Sequence, residues 1–320
     1  MATVIGIDEA GYGPLLGPLV MTAVAFEVPD SEADTPVWKL LSGSVRQRPR
    51  GRDGRLLIAD SKKAHSQAKG ISDLEAAVLS MLRAGGRNPA TVRGLLRVLS
   101  PGVVEQLDEY PWYENFARDL PASCEAERIR LHANALGEDM VSAGVVFLGA
   151  WSEVVLEGHF NRLVARTRNK SVLLSDLTMR LIDRASGSLR GRTLTVVIDK
   201  QGGREVYGRS LLRCFESSDL RIVEEGPARS RYDLVGPRGS WAISYLRKGE
   251  DLHLPIALAS MFSKYLRELF MGGFNDYWKS RVPDLRPTAG YYQDAKRFLS
   301  EIDPEVRRLR VRGDLLVRSR

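Results

Sequence analysis

Apolar residues follow two different spacings along the chain, and together they predict a mixed α/β fold. Short continuous apolar runs predict buried strands at residues 3–8, 21–26 and 193–199, and alternating β-rich pieces at 220–249 are typical of antiparallel strands. Apolar positions at helical spacing predict amphipathic helices at residues 72–83, 125–142, 169–185 and 255–271. Strands interspersed with helices favour an α/β layer fold.

The long helix at 255–271 has clear boundary signals. Pro255 suits the first turn of a helix, and Gly272 and Gly273 predict its end. By contrast, residues 84–165 contain several helical stretches broken by proline and carry no chemical motif.

Composition narrows the class of protein. Of the 320 residues, 43% are hydrophobic and 27% are charged, which is ordinary for a folded globular chain and excludes disordered, collagen-like and disulfide-scaffold classes. The two cysteines, Cys124 and Cys214, form no CxxC pair and are interpreted as reduced thiols.

No membrane segment is expected, because the apolar stretch at 14–26 is too short to span a bilayer, and Asp8 and Glu9 precede it where a signal peptide is basic. These features predict a cytoplasmic protein. The net charge of +7 adds a slight preference for polyanionic partners.

Acidic residues follow the ends of two predicted strands. Asp8 and Glu9 end the first strand, Asp199 ends the third, and Glu250 and Asp251 precede the long helix. In open α/β sheets, ligands bind at the carboxyl ends of strands. Two unit charges ~4 Å apart repel by about 4 kcal/mol at an effective dielectric near 20, so converging acids need protons or cations between them. Oxygen ligands favour Mg²⁺ or Mn²⁺, and two such ions suit phosphodiester hydrolysis.

Two alternatives to this metal site arise from the same residues. Each acid can have a structural role, with Asp251 capping the helix and Glu250 interacting with its dipole. The glycines at 11, 13 and 17 resemble a loosened dinucleotide fingerprint. However, Pro14 removes an amide that a pyrophosphate would use, and the neighbouring acids would repel the ligand.

Residues 6–18, with the sequence GIDEAGYGPLLGP, closely resemble the N-terminal signature of the ribonuclease HII family. Four further blocks follow in the order of that family: Asp60-Ser61-Lys62-Lys63, Ile198-Asp199, Lys248-Gly249-Glu250 with residues 256–264, and Gly290-Tyr291. The matching regions are roughly residues 1–83, 168–200 and 245–300.

The resemblance implies a ribonuclease H-like fold, with a mixed five-stranded sheet, helices on both sides and a helical C-terminal part. Residues 1–320 would form one catalytic domain that carries a mainly helical insertion at 84–165 and a β-rich insertion at 204–247, followed by the helical part at 272–320. The implied activity is endonucleolytic cleavage of RNA in RNA–DNA hybrids, including DNA with embedded ribonucleotides, with two Mg²⁺ or Mn²⁺ ions.

The family's functional residues can be transferred to matching positions. The metal ligands would be Asp8, Glu9, Asp199 and Glu250, with Asp251 as the alternative at the last position, because the family has Asp there. The implied substrate-binding residues are Gly11, Tyr12, Gly13, Lys62, Lys63, Ser260, Lys264 and Tyr291. Arg204, in the segment Gln201-Gly202-Gly203-Arg204, is a further candidate for phosphate contact.

This chain departs from the family pattern in the glycine-rich turn (residues 11–18), where Tyr12 replaces the arginine that is usual in the family. A tyrosine cannot pair with phosphate as a guanidinium does. Two other hypotheses therefore stay open: a related nuclease acting on branched DNA, and a nucleic-acid-binding module in which residues 84–165 dock a partner protein.

Overall fold

A seven-stranded mixed sheet lies at the centre of the computed structural model, which describes residues 1–48, 53–65, 70–114, 116–187, 189, 193–201 and 204–319. The strands in these ranges are β1 Ala2–Ala10, β2 Leu19–Val28, β3 Val45–Arg46, β4 Leu56–Leu57, β5 Val146–Val155, β6 Leu194–Asp199, β7 Asp219–Glu225, β8 Arg229–Gly236 and β9 Gly239–Leu246. The sheet order is β5-β2-β1-β6-β9-β8-β7, and β3 pairs separately with β4. β1 is antiparallel to β2 and parallel to β6, which is parallel to β9.

Helices cover both faces of this sheet. They are α1 Val37–Leu40, α2 Ser61–Ala64, α3 Ser72–Ala84, α4 Val92–Leu99, α5 Pro101–Val104, α6 Ala126–Ala143, α7 Glu157–Thr167, α8 Lys170–Gly187, α9 Gly208–Cys214, α10 Gly249–Leu252, α11 Leu254–Lys279, α12 Tyr292–Arg308 and α13 Gly313–Leu316. One large apolar core joins β2 to α3, α6 and α11, and a second joins β1 and β6 to α8 on the opposite face. The predicted mixed α/β architecture with flanking helices is confirmed.

The sheet is larger than the family resemblance implies. Seven strands replace the expected five, because the range 204–247 adds β7 and β8 beside β9. The range 84–165 contains α4, α5 and α6, but it also contributes β5, which pairs with β2 at the other edge of the sheet. The apolar run of β5 is therefore part of the central sheet, and the proposed insertion boundaries stay a prediction.

The long helix α11 continues beyond the predicted stop. Gly272 and Gly273 lie inside it, and it ends at Lys279. Phe274 and Trp278 in the added turns are fully buried, so core packing outweighs the low helix propensity of glycine. The ring of Phe116 lies against Gly273, and a Cβ there would be 2.9 Å from its Cε2 atom. The glycines thus permit close packing within a continuing helix.

Two further predictions concern the cysteines and membrane-spanning segments. Cys124 is buried, Cys214 is exposed, and both are free. Across the described part of the chain, no helix combines the length and apolarity required to cross a bilayer.

The start of α11 lies directly on β1. A Cβ at Gly6 would be 2.2 Å from the Pro255 carbonyl carbon and 2.3 Å from the Ile256 nitrogen. Because these are backbone atoms near the start of the helix, they cannot move aside as a flexible side chain would. Gly6 therefore sets the distance between strand and helix, two residues before Asp8.

Replacing Gly6 by alanine should destabilise the fold. Overpacking a core usually costs about 1–3 kcal/mol, and we expect at least the upper end of that range because the clash is with backbone. Urea unfolding would measure the loss. Gly137→Ala is the matched control, since a Cβ there meets nothing within 4 Å and alanine in a helix should add about 0.5–1 kcal/mol. Equal stability of the two variants would contradict the packing argument.

Candidate active site

Two of the predicted acids lie side by side on neighbouring strands. The parallel register pairs Ile7 of β1 with Ile198 of β6, so Asp8 and Asp199 are the next residues on adjacent strands. Alternation along a strand places every second side chain on one face. On β1, Gly6 lies against α11, and Asp8 follows two positions later on the same face. On β6, Val197 packs against Ile256 of α11, and Asp199 follows two positions later. Both carboxylates are therefore directed to the α11 face.

The segment before α11 brings Glu250, and not Asp251, to these acids. The Gly249 amide donates to Oδ1 of Asp199 over 2.9 Å, which anchors α10 at the end of β6. The charge of Glu250 contributes to raising the pKa values of Asp8, Glu9 and Asp199. Asp251 instead forms an exposed ion pair with Lys63. The two acids that the sequence left as alternatives thus have different surroundings.

Burial and mutual repulsion make full ionisation of the cluster unfavourable. Burial is the main cause that raises the pKa of Asp8 well above its ordinary value, followed by the charge of Glu9. Burial and then Asp199 raise the pKa of Glu9 to about 7. For Asp199, burial followed by the charges of Asp8 and Glu250 raises the pKa to about 8. At neutral pH such a cluster holds protons or needs nearby positive charge.

The donor atoms of this cluster suit a hard divalent cation. All four side chains offer carboxylate oxygens, which Mg²⁺ and Mn²⁺ prefer. Among the described residues, the Oε2 atom of Glu250 is buried and has no hydrogen-bond partner, so a donor to it is missing. No group of three or more His, Cys, Asp or Glu side chains in the described ranges is already arranged as a metal cage. The ligand types of the four acids fit a hard divalent metal.

Hydroxyl groups of α11 hold the Asp8 segment in place. Ser260 lies close enough to the Asp8 side chain to offset part of the rise in its pKa, and its hydroxyl donates to the Ser61 hydroxyl over 2.9 Å. The Ser263 hydroxyl donates to the Asp8 carbonyl over 3.0 Å and lies 2.9 Å from the Thr22 hydroxyl. The predicted Ser260 is therefore at the acid cluster, and Ser263 supports the same strand end.

Three lysines were predicted at the site, and they have different partners. Asp60 caps α2 by accepting the Lys62 amide over 3.1 Å. The positive charge of Lys62 lowers the pKa of Glu9, partly offsetting its rise, and this places Lys62 beside the cluster. Lys63 pairs with Asp251, and Lys264 pairs with Glu268 over 2.5 Å one helical turn later.

Arg204 makes its contacts within its own segment. Its guanidinium donates to the Val206 carbonyl and the Ser210 hydroxyl, and it lies 5.1 Å from the centre of the Tyr207 ring. These contacts hold it beside α9, and they do not bring it to the acids. Gly202 and Gly203, which belong to the same candidate motif, lie outside the described residues.

The glycine-rich turn and the Gly290-Tyr291 pair lie together. The Gly290 carbonyl accepts from the Leu15 and Leu16 amides over 2.8 and 3.3 Å. Gly290 has a φ of 82°, and a Cβ there would lie 2.4 Å from the Leu16 carbonyl oxygen, so this contact requires glycine. Tyr291 is 56% exposed beside this contact. Tyr12 is close enough to Glu9 for that charge to raise its pKa, after the larger effect of burial.

Sequence reasoning missed three buried charged residues behind this turn: Glu157, Arg267 and Arg318. Arg267 and Arg318 are each 2% exposed, and Glu157 is fully buried. The Gly17 amide donates to Glu157 over 2.9 Å. In the sequence, the position of Arg267 inside the apolar helix α11 is a weak indication that it makes a buried polar contact. Arg318 gives no such indication, because it resembles an ordinary residue of a basic tail.

Glu157 should make stability depend on pH. Burial raises its pKa to about 7, although Arg318, the Gly17 amide and Arg267 each act to lower it. The native state therefore retains a proton that the unfolded chain releases near pH 4.5, and stability falls as pH rises from about 4.5 to about 7. Glu157→Gln removes this ionisation, so the variant should gain stability relative to wild type across that range, as measured by urea unfolding at several pH values. A constant difference between the two proteins would contradict this expectation.

Comparison with known proteins supports the resemblance read from the motifs. The chain is 37% identical over 93 residues to ribonuclease HII of Gluconobacter oxydans, which covers 26% of this chain and 44% of that protein. It is 40% identical over 75 residues to ribonuclease HII of Chlorobaculum tepidum, covering 23% of this chain and 35% of that protein. The matches thus span less than half the length of either relative, and no family model matches the chain.

Solved structures give weaker similarity over nearly the whole chain. Bst-RNase HIII in complex with Mn²⁺ has a TM-score of 0.42 at 16% identity, covering 99% of this chain and 66% of that one. The RNase HII of the Archaeoglobus fulgidus PCNA:RNase HII complex has a TM-score of 0.40 at 14% identity, covering 99% and 94%. The local sequence matches are what make this chain similar to ribonuclease HII.

Proposed function

We propose that the chain is a divalent-metal-dependent endonuclease that hydrolyses RNA in RNA–DNA hybrids. The observation that carries this proposal is the convergence of four acids: Asp8 and Glu9 near the end of β1, Asp199 at the end of β6, and Glu250 in α10, whose Gly249 amide binds Asp199. The local similarity to two proteins named ribonuclease HII supports the same activity.

In this proposal the four acids hold Mg²⁺ or Mn²⁺. Bound divalent ions supply water activation and stabilisation of the leaving oxygen in phosphodiester hydrolysis. The chain's own contribution is orientation: the Gly249 amide fixes Asp199, and the hydroxyls of Ser260 and Ser263 fix Asp8. Asp251, paired with Lys63 at the surface, is outside the ligand set.

The substrate would lie along the glycine-rich turn. Gly13 is exposed and Gly11 has a φ of 88°, so backbone amides can come close to a ribose 2′-hydroxyl. Exposed Tyr291 is available to stack on the sugar, and Lys62 beside Glu9 is available for a phosphate. The preferred form of substrate and the docking of a partner protein on residues 84–165 stay open predictions.

Substituting the acids one at a time should distinguish the metal ligands from neighbouring acids by their effect on cleavage. Charge stabilisation by a held metal is worth several kcal/mol, and 1.36 kcal/mol corresponds to tenfold in rate. Asp8→Asn, Asp199→Asn and Glu250→Gln should therefore each lower cleavage of a hybrid duplex by about 100-fold or more in Mn²⁺. Asp251→Asn is the matched control and should keep most activity, because its carboxylate faces Lys63.

The outcomes of this assay distinguish the competing functions. Greater loss in Asp251→Asn than in Glu250→Gln would reverse the ligand assignment. A wild-type protein that binds hybrids in chelator but cleaves nothing in Mg²⁺ or Mn²⁺ would be a binding module. Cleavage of branched DNA in preference to hybrids would indicate the related nuclease.

Metal should stabilise the wild-type protein through the same acids. A ligand that binds only the native state raises its stability, so Mn²⁺ should increase the unfolding temperature at pH 8. Asp199→Asn should unfold at a higher temperature than wild type in chelator, because it removes a repelled charge, and should lose most of the gain from Mn²⁺. Differential scanning fluorimetry measures both effects. An undiminished Mn²⁺ effect in this variant would place the ion elsewhere.

A further inference from the structure

Arg318 contacts the glycine-rich turn from its buried side. Its guanidinium donates to the Gly11 carbonyl over 2.7 Å, to the Tyr12 carbonyl over 3.2 Å and, through Nε, to the Pro14 carbonyl over 3.0 Å. Its own amide donates to the Leu15 carbonyl over 2.9 Å. One residue far along the chain thus binds four carbonyls of the turn.

Arg267 of α11 completes the same set of contacts. It donates to the Leu16 and Pro18 carbonyls over 3.1 and 2.6 Å, and to the Ala289 carbonyl over 3.0 Å. The two buried guanidiniums therefore bind most carbonyls of residues 11–18 and connect the turn to the segment that carries Tyr291.

The direction of these carbonyls fixes the direction of the amides. In a planar trans peptide, the carbonyl of one residue and the N–H of the next point in opposite directions. Because the Gly11 and Tyr12 carbonyls face Arg318, the amides of Tyr12 and Gly13 face away from it. That side is open: Gly13 is exposed, and a Cβ added there would meet nothing within 4 Å.

We infer that Arg318 is a positioning residue for ribonucleotide recognition, holding the Tyr12 and Gly13 amides towards the substrate. This inference rests on the proposed ribonuclease function and goes beyond it by naming what sets the recognition geometry. A guanidinium has a rigid fork of donors that can bind three carbonyls together, whereas a lysine ammonium is a single point of charge. Arg318 also lies 4.5 Å from the centre of the Phe160 ring, which restricts its rotation.

Arg318→Lys tests this role, because it keeps a nitrogen donor at the end of a long side chain and loses the fork. Arg308→Lys is the control, since Arg308 is exposed and pairs only with Glu305 of its own helix among the described residues. Two substrates separate recognition from general binding: a DNA duplex with one embedded ribonucleotide, and the same duplex without it as a competitive inhibitor. Hydrogen exchange of the peptide covering residues 11–18 reports on the turn directly in the free protein.

For Arg318→Lys we expect KM for the embedded ribonucleotide to rise about tenfold, the value of one or two hydrogen bonds, with little change in the inhibition constant of the all-DNA duplex. Exchange in the turn should be at least about tenfold faster, while the unfolding temperature falls by only a few degrees. The Arg308→Lys control should match wild type in every measurement.

Other results would overturn the inference. Equal weakening towards both duplexes would show general damage to the site, and unchanged exchange in the turn would show that Arg318 does not hold it. A wild-type protein that cleaves no ribonucleotide-containing duplex would refute the proposed function and the specificity role with it. The exchange measurement would still decide separately whether Arg318 orders the turn.

Discussion

The close approach of α11 to β1 at Gly6 is the contact on which the site depends. Backbone lies against backbone there, so the helix is fixed to the strand without an intervening side chain. From that point α11 extends across the face of the sheet, over β1 and β2. Its first turns bring Ser260 and Ser263 to Asp8, and a later turn brings Arg267 to the glycine-rich turn. One helix thus orients both the acids and the surface proposed to meet the substrate.

The acid cluster is unfavourable when it is fully ionised. Burial and the charges of neighbouring acids raise the pKa values of Asp8, Glu9 and Asp199, so the ionised form of the cluster lowers the stability of the native state. The opposite arrangement lies behind the turn, where buried arginines are compensated by carbonyl oxygens. The repulsion within the acid cluster is therefore adjacent to a turn that buried hydrogen bonds hold firmly.

The sequence predicts the parts of this architecture that local patterns determine. Continuous apolar runs identify β1, β2 and β6, and the acids at the ends of β1 and β6 follow directly from the strand boundaries. The choice between Glu250 and Asp251 depends on how α10 meets β6, and no local pattern contains that information. Arg318 is missed for the same reason, since its partners lie about three hundred positions earlier in the chain. The continuation of α11 past Gly273 also depends on tertiary packing against Phe116.

The position of β1 in the sheet affects the order in which the site can assemble. On one side β1 pairs with β2, which follows it almost at once, and on the other side Thr3 pairs with Leu194 of β6. Closing the second, much longer loop carries the larger entropic cost. The hairpin of β1 and β2 can therefore form with Asp8 and Glu9 already in place while Asp199 and Glu250 are still distant. The full repulsion among the four acids therefore requires the long-range pairing of β1 with β6, and the hairpin alone does not contain it.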